Sequence, residues 1–64
     1  MGNPVNKFTP AMTSVKVINE KLELFGQAGY VNEPPKDDDA LVGVKMDVDG
    51  EDWEFKQSDI ETLA

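Results

Sequence analysis

From Leu41 to Lys56 the chain reads LVGVKMDVDGEDWEFK, with apolar and polar residues alternating on both sides of Asp49-Gly50. A period of two marks a strand with one buried face. Asp-Gly is a favoured pair for a two-residue type I′ hairpin turn, in which both central residues take positive φ. Counting outward from that turn predicts Met46 opposite Trp53, Lys45 opposite Glu54 and Val44 opposite Phe55. Val42, Val44, Met46, Trp53 and Phe55 then share one face, and Lys45, Asp47, Asp52 and Glu54 share the other. A one-residue slip would exchange the faces, so the pattern itself specifies which side is buried. Asp47 opposite Asp52 is the one unfavourable pair.

The segment VKVINEKLELF over 15–25 supports two readings. As a helix, Val15, Ile18, Leu22 and Phe25 fall near one face, Thr9 is an N-cap before Pro10, and Gly26 is a stop. As a strand, Val15 and Val17 alternate with Ser14 and Lys16, and Ile18 adds a third β-branched residue. The following GQAGYV, residues 26–31, reads as a tight turn feeding a short strand with Tyr30 and Val31, which favours the second reading. NEPPKDDD, residues 32–39, is a loop, since Pro34-Pro35 cannot occupy a sheet interior and three adjacent aspartates repel one another. Gln57 to Ile60 reads as a single turn, with Ser58 or Asp59 able to cap it. Ile60 and Leu63 are the last apolar anchors. Residues 1–14 carry few charges, two prolines and the isolated apolar residues Val5, Phe8 and Met12. They read as a frayed terminus or as an arm that docks Phe8 onto another subunit.

Length then narrows the picture. A chain of 64 residues holds one domain, and with no cysteine and no histidine it has neither disulfide nor thiolate metal site to reinforce a small core. No apolar run approaches the ~20 residues that span a bilayer, no signal peptide is visible, and Asn6 at the sixth position rejects the myristoylation pattern. A cytoplasmic protein, or a virion component, is expected. Net charge is −7, divided as +2 over residues 1–19 (Lys7 and Lys16, no acids) and −9 over residues 20–64 (four lysines, thirteen acids). So acidic a body repels phosphate backbones and suits a partner with a basic surface.

The order of elements carries a resemblance. Val15-x-Val17, a polar loop, Gly26-x-x-Gly29-x-Val31, an alternating strand pair, and Phe55 followed by Asp59-Ile60-Glu61-x-Leu63 together resemble the small SH3-like barrels of the KOW type. They are also similar to the small barrel subunits of photosynthetic electron-transfer complexes. The resemblance covers residues 14–64 and implies an all-β fold. The expected architecture is a small five-stranded SH3-like barrel over 14–64 with an extended N-terminal arm over 1–13. The alternative is α+β, with a helix over 10–25 packed on a β-hairpin. The barrel implies a core of Val15, Val17, Val31, Val42, Val44, Met46, Trp53, Phe55, Ile60 and Leu63. KOW domains are usually basic, whereas this body is acidic.

The candidate chemistry is sparse. Asp37, Asp38 and Asp39 are adjacent in a loop and do not make the cage of oxygens that calcium requires. Counting from Asp47, Gly50 stands fourth and Ser58 twelfth, which rules out an EF-hand loop. Without histidine or cysteine the usual general bases and thiol nucleophiles are missing, so neither an enzyme nor a cofactor is expected. Tyr30, Trp53 and Phe55 could stack on bases, but two of them lie on the predicted core face. The expectation is a non-enzymatic accessory or assembly protein that binds a larger protein complex, a multi-subunit enzyme or a virion, with homo-oligomerisation through the arm as one form of that assembly. The candidate partner-binding residues are Lys7 and Phe8 on the arm and Asp47, Asp49, Glu51 and Asp52 at the hairpin tip. The alternatives are a KOW-type regulatory module contacting the transcription or translation machinery or nucleic acid, and an acidic mimic of DNA.

Overall fold

The computed structural model describes residues 3–63. The protein is all-β: β1 (Ser14–Val17), β2 (Ala28–Glu33), β3 (Val42–Met46), β4 (Asp52–Phe55) and β5 (Ile60–Thr62), with a single 3₁₀ turn at Gln57–Asp59. The strands form one antiparallel sheet in the order β4-β3-β2-β1-β5. β4 and β5 stand at opposite ends of that order and do not pair, so the sheet is not closed into the expected barrel. The alternative helix over 10–25 does not form. Val15 and Val17 are buried while Ser14 and Lys16 are exposed, and β1 pairs with β2 on one side and β5 on the other. Those two ladders, together with burial of both valines, outweigh the helical spacing of Val15, Ile18 and Leu22.

One face of the sheet supplies the core. Val15, Val17, Val31, Val42, Val44, Met46, Phe55 and Ile60 are at most 5% exposed, and Val5 joins them from outside the sheet. Among the described residues no second layer of regular structure covers that face. The molecule measures 25 × 21 × 20 Å, and its smallest extent is about twice the ~10 Å of one flat sheet layer. The sheet therefore curls around its own side chains, and Leu22 and Leu24 from the β1–β2 connection pack against the result. Two expected core residues lie elsewhere: Leu63 is 50% and Trp53 36% exposed. Leu63 follows the end of β5, and Trp53 sits on the outermost strand, where the curl leaves a gap.

The hairpin register differs from the expected one by two residues. Val42 faces Phe55, Val44 faces Trp53, and Lys45 faces Asp52. The connection is a four-residue loop, Asp47 to Gly50, closed by Gly50 N–H to Met46 C=O (2.9 Å) and Met46 N–H to Glu51 C=O (3.0 Å). Gly50 takes φ +68 and Asp49 has no positive φ, so the type I′ turn is absent. Asp49 instead accepts the Glu51 N–H on Oδ1 at 2.9 Å. A two-residue shift keeps every side chain on its predicted face. It also replaces the Asp47–Asp52 clash of like charges with Lys45 opposite Asp52.

β2 carries a bulge at Asn32, between the Val31–Val44 and Glu33–Gly43 pairs. At Gly29 the backbones of β2 and β3 come so close that a Cβ would run into the Lys45 carbonyl and the Met46 Cα. The N-terminal segment is tied to the sheet at two places, the outer edge of β5 and the stretch beside β2 that leads into β1. Thr62 N–H donates to Asn3 C=O (2.8 Å), and Pro4 bridges to Glu61. Further on, Met12 N–H donates to Val31 C=O (2.7 Å) and Val31 N–H to Thr13 C=O (2.9 Å). Between these two ties Val5 and Thr9 turn inward and are buried.

Candidate functional site

The arm residues occupy a tied turn. Thr9 N–H donates to Asn6 C=O (3.0 Å), Asn6 N–H to Thr9 Oγ1 (3.0 Å), and Phe8 N–H to Asn6 Oδ1 (2.8 Å). With Val5 and Thr9 buried on either side, the Phe8 ring is held outward and is 81% exposed. The Lys7 ammonium stands 5.5 Å from the ring centroid, within range of a cation–π contact. It also lies 3.9 Å from Asp38 Oδ1, an exposed pair of little energetic weight.

The hairpin-tip residues are organised locally. Asp47, Asp49, Glu51 and Asp52 are all exposed. Asp49 holds the loop through Oδ1 and accepts the Trp53 indole N–H on Oδ2 at 3.2 Å. Asp52 Oδ1 accepts from Asn32 Nδ2 at 3.3 Å. In the 34–41 loop, Asp37 Oδ1 takes the Asp39 N–H (2.9 Å), and Gln57 Nε2 donates to the Asp37 and Ala40 carbonyls (2.7 and 3.0 Å). Neither Ser58 nor Asp59 caps the 3₁₀ turn through its side chain; Asp59 Oδ1 instead accepts from Asn19 Nδ2 at 2.9 Å. Among the described residues no three carboxylates converge as a cation site.

The sequence did not point to a groove of about 280 Å³ beside β4, lined by Leu22, Leu24, Trp53 and Phe55. Its remaining lining residues, Glu23, Glu54 and Asp59, are all acidic. The one available signal was the i, i+2 spacing of Leu22 and Leu24, which is obscured by the equally good helical spacing of Leu22 with Ile18 and Phe25. No helix among the described residues is long and apolar enough to cross a membrane.

Charge is poorly compensated across this surface. The Lys7–Asp38 pair is the sole ion pair within 4.0 Å among the described residues, against a net charge of −7. At about 0.01 M salt the screening length is about 30 Å, longer than the 25 Å molecule, so every carboxylate is subject to the others. At about 1 M it falls to about 3 Å. The melting temperature is expected to rise by roughly 4–8 °C over that range, equivalent to about 1 kcal/mol for a domain of this size. A thermal melt series in sodium chloride measures it, and a fall would mean that attractive pairs dominate.

A small all-β protein built on one curled antiparallel sheet is the class these features define. Comparison of the chain with protein-family models, with curated proteins and with solved structures gives no match.

Proposed function

We propose that the protein is a non-enzymatic accessory protein that docks onto a larger protein assembly, with Phe8 as its anchor. The observation that carries this reading is the Phe8 ring, 81% exposed on a turn fixed by three hydrogen bonds. Scattered exposed apolar residues are ordinary on protein surfaces. A large aromatic carried on a backbone turn already held by hydrogen bonds differs, because less backbone ordering entropy remains to be lost when a partner covers it. The acidic body behind the ring suits a partner with a basic surface. The strand order, with a 3₁₀ turn leading into a fifth strand beside the first, supports kinship with the SH3-like small barrels in an unclosed form. The nucleic-acid alternatives draw less support: Phe55 is buried, Trp53 is bound to Asp49, and the groove beside them is acidic.

Phe8→Ala tests the reading. The full chain, tagged in its native cell, is compared with the variant for co-purifying proteins and for oligomeric state by sedimentation. A central aromatic anchor contributes about 2 kcal/mol or more, so binding is expected to weaken about thirty-fold or more. The melting temperature should hardly change, since the ring has little to lose on the folded surface. Unchanged association would sink the proposal. The point variant is preferred to removal of the arm because Val5 belongs to the core.

A further inference from the structure

The two edges of the sheet are treated differently. The outer edge of β5 is taken by Asn3 and Pro4. The outer edge of β4 is taken by nothing among the described residues. The bond from Met46 N–H to Glu51 C=O sets the phase of the β3–β4 ladder. The hydrogen-bonded pairs are then Met46–Glu51, Val44–Trp53 and Val42–Phe55. The N–H and C=O groups of Asp52 and Glu54 therefore point away from β3, and no hydrogen bond within the described chain uses them. Beside this edge, on the inner face, runs the groove of Leu22, Leu24, Trp53 and Phe55.

We propose that β4 is a strand-addition site that takes an extended segment of another protein in which basic and apolar residues alternate. The proposal rests on the reading of the protein as a binding module but uses a surface separate from Phe8. The occupant's chemistry follows from the two faces of β4. A strand laid along β4 takes backbone hydrogen bonds from Asp52 and Glu54, and its side chains alternate between faces. Those on the outer face meet the Asp52 and Glu54 carboxylates, which favours lysine or arginine. Those on the inner face enter the apolar groove, with Glu23 and Asp59 adding acidic lining nearby. A second copy of this chain is the wrong occupant, because antiparallel β4–β4 pairing would oppose Asp52 and Glu54 to their own equivalents.

The test uses the ¹⁵N-labelled full chain and three capped peptides: KVKVKVK, its block permutation KKKKVVV, and EVEVEVE. KVKVKVK is expected to bind, to shift Trp53 emission to the blue, and to slow exchange of the Asp52 and Glu54 amides at least about tenfold at saturation. KKKKVVV and EVEVEVE should bind at least about tenfold more weakly. Glu54→Pro removes the outward N–H, and proline is tolerated on an edge strand whose N–H faces solvent. This variant should fold, as checked by circular dichroism, and lose at least about tenfold in affinity for KVKVKVK. The Asp52→Lys/Glu54→Lys double variant should instead prefer EVEVEVE, and it keeps the test valid if the proline variant misfolds. Equal binding of KVKVKVK and KKKKVVV, no protection at Asp52 and Glu54, no binding at all, or dimerisation through β4 would each overturn the proposal. Phe8→Ala should leave peptide binding unchanged, so failure here and failure of the Phe8 anchor are read separately.

Discussion

Gly29→Ala is expected to lower the melting temperature by roughly 10–20 °C, from a loss of about 2–3 kcal/mol. Gly29 is flanked by Val15 of β1 and Met46 of β3. A methyl group there meets the Lys45 carbonyl and Met46 Cα. Both are main-chain atoms in the middle of a ladder, so neither can rotate aside and β3 must move. A domain of 64 residues has roughly 3–10 kcal/mol of total stability to lose. The informative control is Gly50→Ala. Gly50 takes φ +68, where a side chain is strained, but nothing stands within 4 Å of its Cβ position. The cost there is the backbone alone, about 1–2 kcal/mol. Paired thermal melts measure the difference, and a Gly29 variant no worse than the Gly50 variant would mean that β2 and β3 do not approach so closely.

Deleting residues 1–13 is expected to have an effect of similar size and a second consequence. Burial of Val5, 3% exposed, contributes about 1.5–3 kcal/mol. The bonds of Asn3 to Thr62 and of Met12 and Thr13 to Val31 go with it. Part of the loss is offset by the entropy the segment regains, leaving a deficit of about 2–4 kcal/mol. The deletion also uncovers the β5 edge, so the shortened chain has two open edges instead of one and should self-associate. Denaturant melts and sedimentation measure the two effects. A monomer of unchanged stability would mean that the segment rests on the sheet without supporting it.

The strands were legible in the sequence wherever burial on one face imposed a period of two. Val15 and Val17, Tyr30-Val31, and Val42, Val44 and Met46 all fall in strands with the apolar members inside. The hairpin register was not legible, because Asp-Gly suits a four-residue loop as well as a two-residue one. The carboxylate of Asp49, used twice within the tip, favours the longer loop. Val5 carries no periodic signal, since an isolated valine between Pro4 and Asn6 looks the same in a tail and in a core. The candidate residues on the arm could be picked out as an aromatic beside a cation, but the turn that fixes them depends on Asn6 and Thr9 side chains. The β4 edge was out of reach for another reason. Which strand ends a sheet is decided by pairing between distant segments, and local pattern does not encode it.

The pairing of Asn3 with Thr62 joins residues 59 positions apart, and β1 cannot acquire its second neighbour until Ile60 to Thr62 are available. The hairpin of β3 and β4 can form early, but the sheet is complete only when residues 60–62 are free to pair with β1. Closing so long a loop adds little to the equilibrium cost, because that cost grows only logarithmically with length. It does slow the search, since non-local contacts are made late. Completion of the sheet thus waits on its last strand, and the folding rate should respond to substitutions in β1 and β5 more than to those in the hairpin.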